Sequence, residues 1–244
     1  MYGTSDATVV RSVQALGFAG LGDLKQALVA SMGRPSTPAD DMRRTLEDVG
    51  ESTARAIEIV LDAHSEALEA LRGAESRRRI AAAVAALHPA ERIVVFGIGP
   101  SAALASYVAL LLGRSGRRTK TLNATGLMLA DHLLDLRADD AHLVLAYGRP
   151  YPEVLAVFDE ARRLGSPVVL VTDAPGSRLG QDAAVVLAAR RGRADRVALH
   201  GATLVGLEAL VLGLAAANQK QAMRTLGRLN KLRTAVSGQQ NDVG

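Results

Sequence analysis

The chain has 244 residues, 48% hydrophobic and only 3% aromatic, with no cysteine, which suits a helix-rich α/β protein with at least one sizeable core and excludes a disulfide framework and thiolate chemistry. Its net charge of +4 is unevenly placed: residues 1–90 carry ten Lys or Arg against twelve Asp or Glu, and the remainder nineteen against thirteen, so no strongly basic domain stands at the N-terminus. The opening MYGTSDATVV lacks a basic stretch followed by an apolar one, and the longest apolar run, Gly201 to Asn218, carries Glu208 and three glycines; a cytoplasmic protein with no membrane partner is expected.

Residues 1–33 read as two short helices, TSDATVVRSVQAL capped by Thr4 or Ser5 and stopped at Gly17, then LGDLKQALVASM up to Gly33. Arg34 to Asp40, RPSTPAD, is a Pro-containing linker. From Asp41 to about Leu71 one long amphipathic pattern runs without a proline; Gly50 weakens its middle by about 1 kcal/mol relative to alanine and permits a bend there. Gly73 separates it from a further helix, ESRRRIAAAVAAL.

After Pro89 the texture alternates. Strand-like runs recur at RIVVFGI, TKTLN, HLVLAY, PVVLVTD and AAVVLAA, with helical patterns filling most of the gaps, which predicts a parallel sheet with crossover helices and ligands at the strand carboxyl ends. Two helical segments follow, from about Val197 to Asn218 and from about Gln219 to Val236. The basic excess gathers in ARRGRADR (Ala189 to Arg196) and on Lys220, Arg224, Arg228 and Lys231, a solvated helix face or a phosphate-contacting stripe.

RIVVFGIGPSAALASYVALLLGRSG, Arg92 to Gly116, is a buried strand running through a glycine turn into a helix whose first turn holds an anion. Gly97, Gly99 and Ala102 satisfy a loose dinucleotide pattern, but the second strand ends in KTLNATG, with Asn123 where a ribose-binding carboxylate belongs. No cofactor is expected. The rival reading uses Ser101, whose hydroxyl would sit at the helix N-terminus and donate to a phosphate or sugar oxygen.

With its G-x-G-x-S signature, FGIGPSAALASYVALLLGRSG resembles the first βα unit of the sugar isomerase (SIS) domain, and LMLADHLLDLRADDAHLVLAYG and EARRLGSPVVLVTDAPGSRLGQDAAVVL fit the same family. SDATVVRSVQALGFAGLGDLKQAL, Ser5 to Leu28, is similar to the end of the helix-turn-helix domain of RpiR-family (MurR/RpiR) transcriptional regulators. The resemblance covers essentially the whole chain. It implies an α/β fold: a doubly wound, flavodoxin-like SIS domain with a five-stranded parallel sheet over residues 89–236. A partial helix-turn-helix domain (1–33) and a linker with a helical segment (34–88) precede it, and a disordered tail (237–244) follows. The family carries further helices ahead of this point, so a chain start placed too far downstream, or a naturally shortened sensor, is expected.

In that fold the ligand lies in the loops after the first and third strands, which implies contacts from Gly99, Ser101, Ala102, Ala146, Tyr147, Gly148, Arg149, Tyr151, Thr172 and Ser177. The third-strand loop departs from the family's S-x-S-G-x-T: in AYGRPYPE the hydroxyl positions fall on Ala146, Gly148 and Tyr151. Arg149 restores charge, while Tyr147 and Tyr151 offer stacking faces, so the effector is a carbohydrate derivative, phosphorylated or not. Thr172 and Ser177 are explained equally by a strand-ending turn. Ser5, Asp6, Thr8, Arg11, Ser12 and Gln14 would face operator DNA.

The expectation is thus a DNA-binding regulator of carbohydrate metabolism acting as a homodimer or tetramer, and not an enzyme. The alternatives are a stand-alone carbohydrate-binding SIS protein and a sugar-phosphate isomerase. His200 and Glu208 are the best acid–base pair for the isomerase; a helix-start polar group and a rim carboxylate explain them better. His64, His88, His132 and His142 show no metal-ligand spacing, and no metal is expected.

Overall fold

The computed structural model describes Val13, residues 37–148 and residues 150–237; Ser5, Asp6, Thr8, Arg11, Ser12, Gln14 and Arg149 therefore lie outside the described residues. The chain divides into two units, residues 1–51 with 195–197, and residues 52–194 with 198–244.

In the first unit, helix α1 (Pro38–Val49) starts with a capping box between Thr37 and Asp40, with proline in its first turn. The Asp40 carboxyl, hydrogen-bonded by the Thr37 hydroxyl and N–H and by Arg43, is held down at about 2. Arg196 pairs with Asp48 through Nε at 2.6 Å, and Val197 N–H donates to the Thr45 hydroxyl at 3.0 Å. The pattern from Asp41 to Leu71 predicts one helix, but the chain makes two. Gly50 adopts φ 62° and closes α1 by donating its N–H to Leu46, and the Ser52 side chain starts α2 (Thr53–Arg72) by accepting from Arg55 N–H. Hydrophobic periodicity passes unbroken through a glycine; a left-handed backbone does not.

The second unit continues with α3 (Ala74–Leu87), β1 (Arg92–Phe96), α4 (Pro100–Arg114), β2 (Thr119–Leu122), α5 (Leu127–Leu133), β3 (Asp140–Leu145) and α6 (Pro152–Leu164). β4 (Val168–Thr172), α7 (Arg178–Asp182), β5 (Val185–Ala188), α8 (Gly201–Ala217) and α9 (Gln219–Ser237) complete it. All five strands are parallel in the order β2-β1-β3-β4-β5, the doubly wound arrangement. The central strands are apolar on both faces because helices cover both. Ile93, Val95, Leu143 and Val169 pack with Leu87 of α3, Val108 and Leu112 of α4 and Leu207 and Leu210 of α8. Val94, Phe96, Val144 and Leu170 face Leu129 of α5, Val157 and Phe158 of α6 and Leu179 of α7. The apolar run at Gly201 is the core helix α8, and among the described residues no single helix is long and apolar enough to cross a membrane.

At the amino ends of the strands, Arg92 grips Asp140, its register partner on β3. Nε donates to Oδ1 at 2.8 Å and Nη2 to Oδ2 at 2.7 Å, while Nη1 reaches Asp135 at 2.7 Å. Arg137 N–H and Lys120 complete the network. Burial pushes the Asp140 carboxyl up, but the Arg92 and Arg137 hydrogen bonds outweigh it and the net shift is downward.

His142 on β3 is fully buried. Its Nδ1 lies 3.3 Å from the Ser166 hydroxyl and its Nε2 has no partner. Burial drives its pKa below the ordinary 6.5, against the opposing charge of Asp140. The unfolded chain therefore takes up this proton at a higher pH than the folded one does. The stability carried by neutral His142 is full above about pH 6.5 and falls as the pH drops toward the folded pKa. His200, also depressed by burial, acts in the same sense. The urea midpoint is expected to fall between about pH 7.5 and 5.5, and His142→Gln to flatten that slope; an unchanged slope would assign it elsewhere.

Candidate functional site

The loops after β1 and β3 leave neighbouring strands at the point where strand order reverses, so their carboxyl ends open a crevice. On the β1 side, Gly97 is required by close approach: a Cβ there would meet the Ser101 carbonyl oxygen at 2.5 Å and the Ala105 Cβ at 3.2 Å. Gly99, at φ 57°, turns the chain into α4, and no side chain caps that helix. Ser101 is 7% exposed, and its hydroxyl has no protein partner among the described residues. Ala102 N–H turns back to Gly99 O at 3.0 Å. An oxyanion placed at this turn would meet the positive end of a 15-residue helix.

On the β3 side, Ala146 is buried and donates its N–H to Val171 O at 3.1 Å. Gly148 has φ 61° and donates its N–H to Asp173 Oδ1 at 2.9 Å. Tyr151 is exposed at the start of α6, without a side-chain cap. Tyr147 turns inward: its hydroxyl donates to Thr203 Oγ1 at 3.1 Å, His200 meets its ring edge-on with centroids 5.4 Å apart, and the Arg191 guanidinium lies 4.3 Å above the ring. One face of that ring is therefore taken by Arg191 rather than open for stacking. Burial pushes the phenol up to about 12, so it stays a neutral donor at physiological pH.

Arg191 carries no sequence signal for this role. It reaches back from the β5–α8 connection to donate through Nε and Nη2 to Asp173 Oδ2, at 3.0 and 2.7 Å. Thr172 and Ser177 sit beside this pair as turn-forming residues: Thr172 Oγ1 accepts from Ala174 N–H, and the Ser177 side chain caps α7 by accepting from Gly180 N–H. Gly99, Ser101, Ala102, Ala146, Tyr147, Gly148 and Thr172 all stand at the carboxyl end of the sheet.

His200 and Glu208 have different neighbours. The Glu208 carboxylate accepts from Tyr107 of α4 at 2.8 Å, whereas the His200 ring is engaged by Tyr147, with its Nδ1 buried and unpartnered. Among the described residues no group of three His, Asp or Glu could hold a metal ion. A cavity of about 350 Å³ opens between α3, β5 and α8, lined by Leu71, Ile80, Val186, Gly206 and Leu207 among others. Its walls are mostly apolar, with Glu75, Ser76, Arg79 and Thr203 among them, and of the residues expected to bind ligand none lines it.

The SIS domain family model matches residues 86–218. A curated protein of Escherichia coli K12, the uncharacterised HTH-type transcriptional regulator YfhH, is 27% identical over 183 residues; the match covers 74% of this chain and 64% of that relative's length. The sugar isomerase domain of an RpiR transcription factor from Sphaerobacter thermophilus shares the fold at 24% identity and a TM-score of 0.64, covering 72% of this chain and 98% of the other. Vibrio vulnificus NanR, solved with ManNAc-6P, does so at 21% identity and 0.62, covering 96% of this chain and 82% of its own.

Proposed function

The chain belongs to the SIS domain family, and from that premise we propose that it is a carbohydrate-sensing transcriptional regulator of the RpiR type rather than an enzyme. The observation that supports the ligand half is the Ser101 hydroxyl, without a partner among the described residues, at an N-terminus of α4 that no side chain caps, beside the crevice where β1 and β3 diverge. In this reading Gly99, Ser101 and Ala102 line one wall, and Ala146, Tyr147, Gly148, Arg149 and Tyr151 the other, with Thr172 and Ser177 behind. The regulatory half is supported by the resemblance of Ser5 to Leu28 to a recognition-helix segment, and by similarity to a regulator in E. coli. Ser5, Asp6, Thr8, Arg11, Ser12 and Gln14 would then meet operator DNA. The domain organisation we carry forward is residues 1–33 for DNA, 34–88 as linker helices and 89–236 as sensor, in a cytoplasmic protein.

The acting species is a homodimer. Tyr107 and Leu110 of α4, Val205 and Leu212 of α8 and Ile57 and Leu61 of α2 are large apolar side chains left exposed, and a second copy is the simplest cover for them. Effector binding would favour one packing of the linker helices and so change the spacing of the two recognition helices. The test is whether DNA affinity responds to a carbohydrate derivative, and whether that response passes through Ser101.

A further inference from the structure

Gly148 N–H of the β3 loop and the Arg191 guanidinium from the β5–α8 connection are already engaged by an anion that the chain itself supplies. Asp173, at the end of β4, receives the N–H of Gly148 at 2.9 Å on one oxygen and Arg191 Nε and Nη2 at 3.0 and 2.7 Å on the other. A backbone N–H in a left-handed turn and a guanidinium fork are the groups that an oxyanion would seek in such a loop. The fork is also aimed: stacking of Arg191 on the Tyr147 ring, itself anchored to Thr203, fixes the plane of the guanidinium toward Asp173. Of Ala146, Gly148 and Tyr151 in the same loop, only the tyrosine carries a side-chain hydroxyl.

We propose that the Asp173 carboxylate occupies in cis the position of an acidic group in the β3 loop, so that a carbohydrate enters this loop through neutral hydroxyls and not through a phosphate. A carboxylate tethered to a strand end competes at an effective concentration on the order of millimolar or higher, which a free anion must exceed to displace it. An anion that does not displace it meets a like charge a few ångströms away. The remaining lone pairs of Asp173, which is 27% exposed at its side chain, accept from sugar hydroxyls. Asp173 is thereby a specificity-determining residue. The inference deepens the effector reading and rests on it for the identity of the ligand, but the electrostatic claim is tested without any sugar.

The experiment titrates inorganic phosphate into the full chain against chloride at equal ionic strength, following the melting temperature and the amide shift of Gly148 by NMR. The wild type is expected to show no saturable response at Gly148, while Asp173→Asn gains one. Arg191→Gln in the Asp173→Asn background removes the gain. Asp173→Ala repeats the test where the asparagine amide faces Arg191 poorly. Saturable binding by the wild type that is lost in Arg191→Gln or Arg149→Gln overturns the proposal, as does an Asp173→Asn protein that is folded and still binds no phosphate. Failure of every carbohydrate to bind the wild type while Asp173→Asn gains phosphate would remove the effector reading and leave the electrostatic assignment standing.

Discussion

Asp140→Ala is expected to destabilise the protein by about 3–5 kcal/mol, the cost of leaving a desolvated charge without its partner. The Asp140 side chain is 1% exposed, that of Arg92 18%, and the two meet through a bidentate contact at the amino ends of neighbouring strands. Removing the carboxylate strands the guanidinium with only Asp135, itself half exposed, and frees Arg137 N–H, which Asp140 Oδ2 accepts at 2.8 Å. In a chain of this length such a loss lowers the melting temperature by roughly 10 °C or more. The paired change Arg92→Met with Asp140→Leu should recover most of it, because the pair's net contribution over an apolar pair is small. A single-variant loss under about 1 kcal/mol would show that water reaches the pair freely. The network lies at the amino end of the sheet, opposite the crevice, so ligand affinity per folded molecule should not change.

Gly97→Val is the second large effect, and it acts at the site itself. The added Cβ would sit 2.5 Å from the Ser101 carbonyl oxygen and 2.8 Å from its carbon, backbone atoms that cannot rotate away. Either β1 or the first turn of α4 must move, at a cost of about 3 kcal/mol or more. The same displacement shifts Ser101 and the helix N-terminus that the ligand oxygen meets. Chemical denaturation would read the stability loss, and calorimetric titration of whatever carbohydrate the wild type binds would read a second loss in the fraction that remains folded. Retained affinity in a destabilised Gly97→Val protein would separate the ligand from the α4 terminus.

These two sites differ in how far the sequence disclosed them. The strand, glycine turn and helix through Gly97 and Ser101 were legible because they are consecutive in the chain; the close approach that requires glycine at Gly97 appears only once the turn is folded. The strands were legible for a related reason: β1, β3 and β4 are short, mostly apolar runs bounded by turn residues and buried on both faces, while the edge strands β2 and β5 are short and only partly buried. The break between α1 and α2 was not, since the apolar period continues across Gly50 and only its φ of 62° ends the helix. Nor was the Arg191–Asp173–Tyr147 cluster, whose members come from the connections after three different strands. A basic run such as ARRGRADR reads as a solvated or phosphate-seeking stripe, yet Arg191 and Arg196 turn back to Asp173 and Asp48. Pairing of this kind is set by topology and leaves no local period to read.

Carbohydrate binding under α4 is expected to change affinity for DNA. The most direct measurement selects a duplex from random DNA with the full chain at low and near-physiological salt, then follows its affinity by fluorescence anisotropy while carbohydrate derivatives are added to wild type and Ser101→Ala. The expected result is a two-fold related site whose affinity changes about fivefold or more with at least one carbohydrate, at a carbohydrate concentration that rises in Ser101→Ala. A carbohydrate that binds and stabilises the protein while leaving affinity for its selected site unchanged would contradict it.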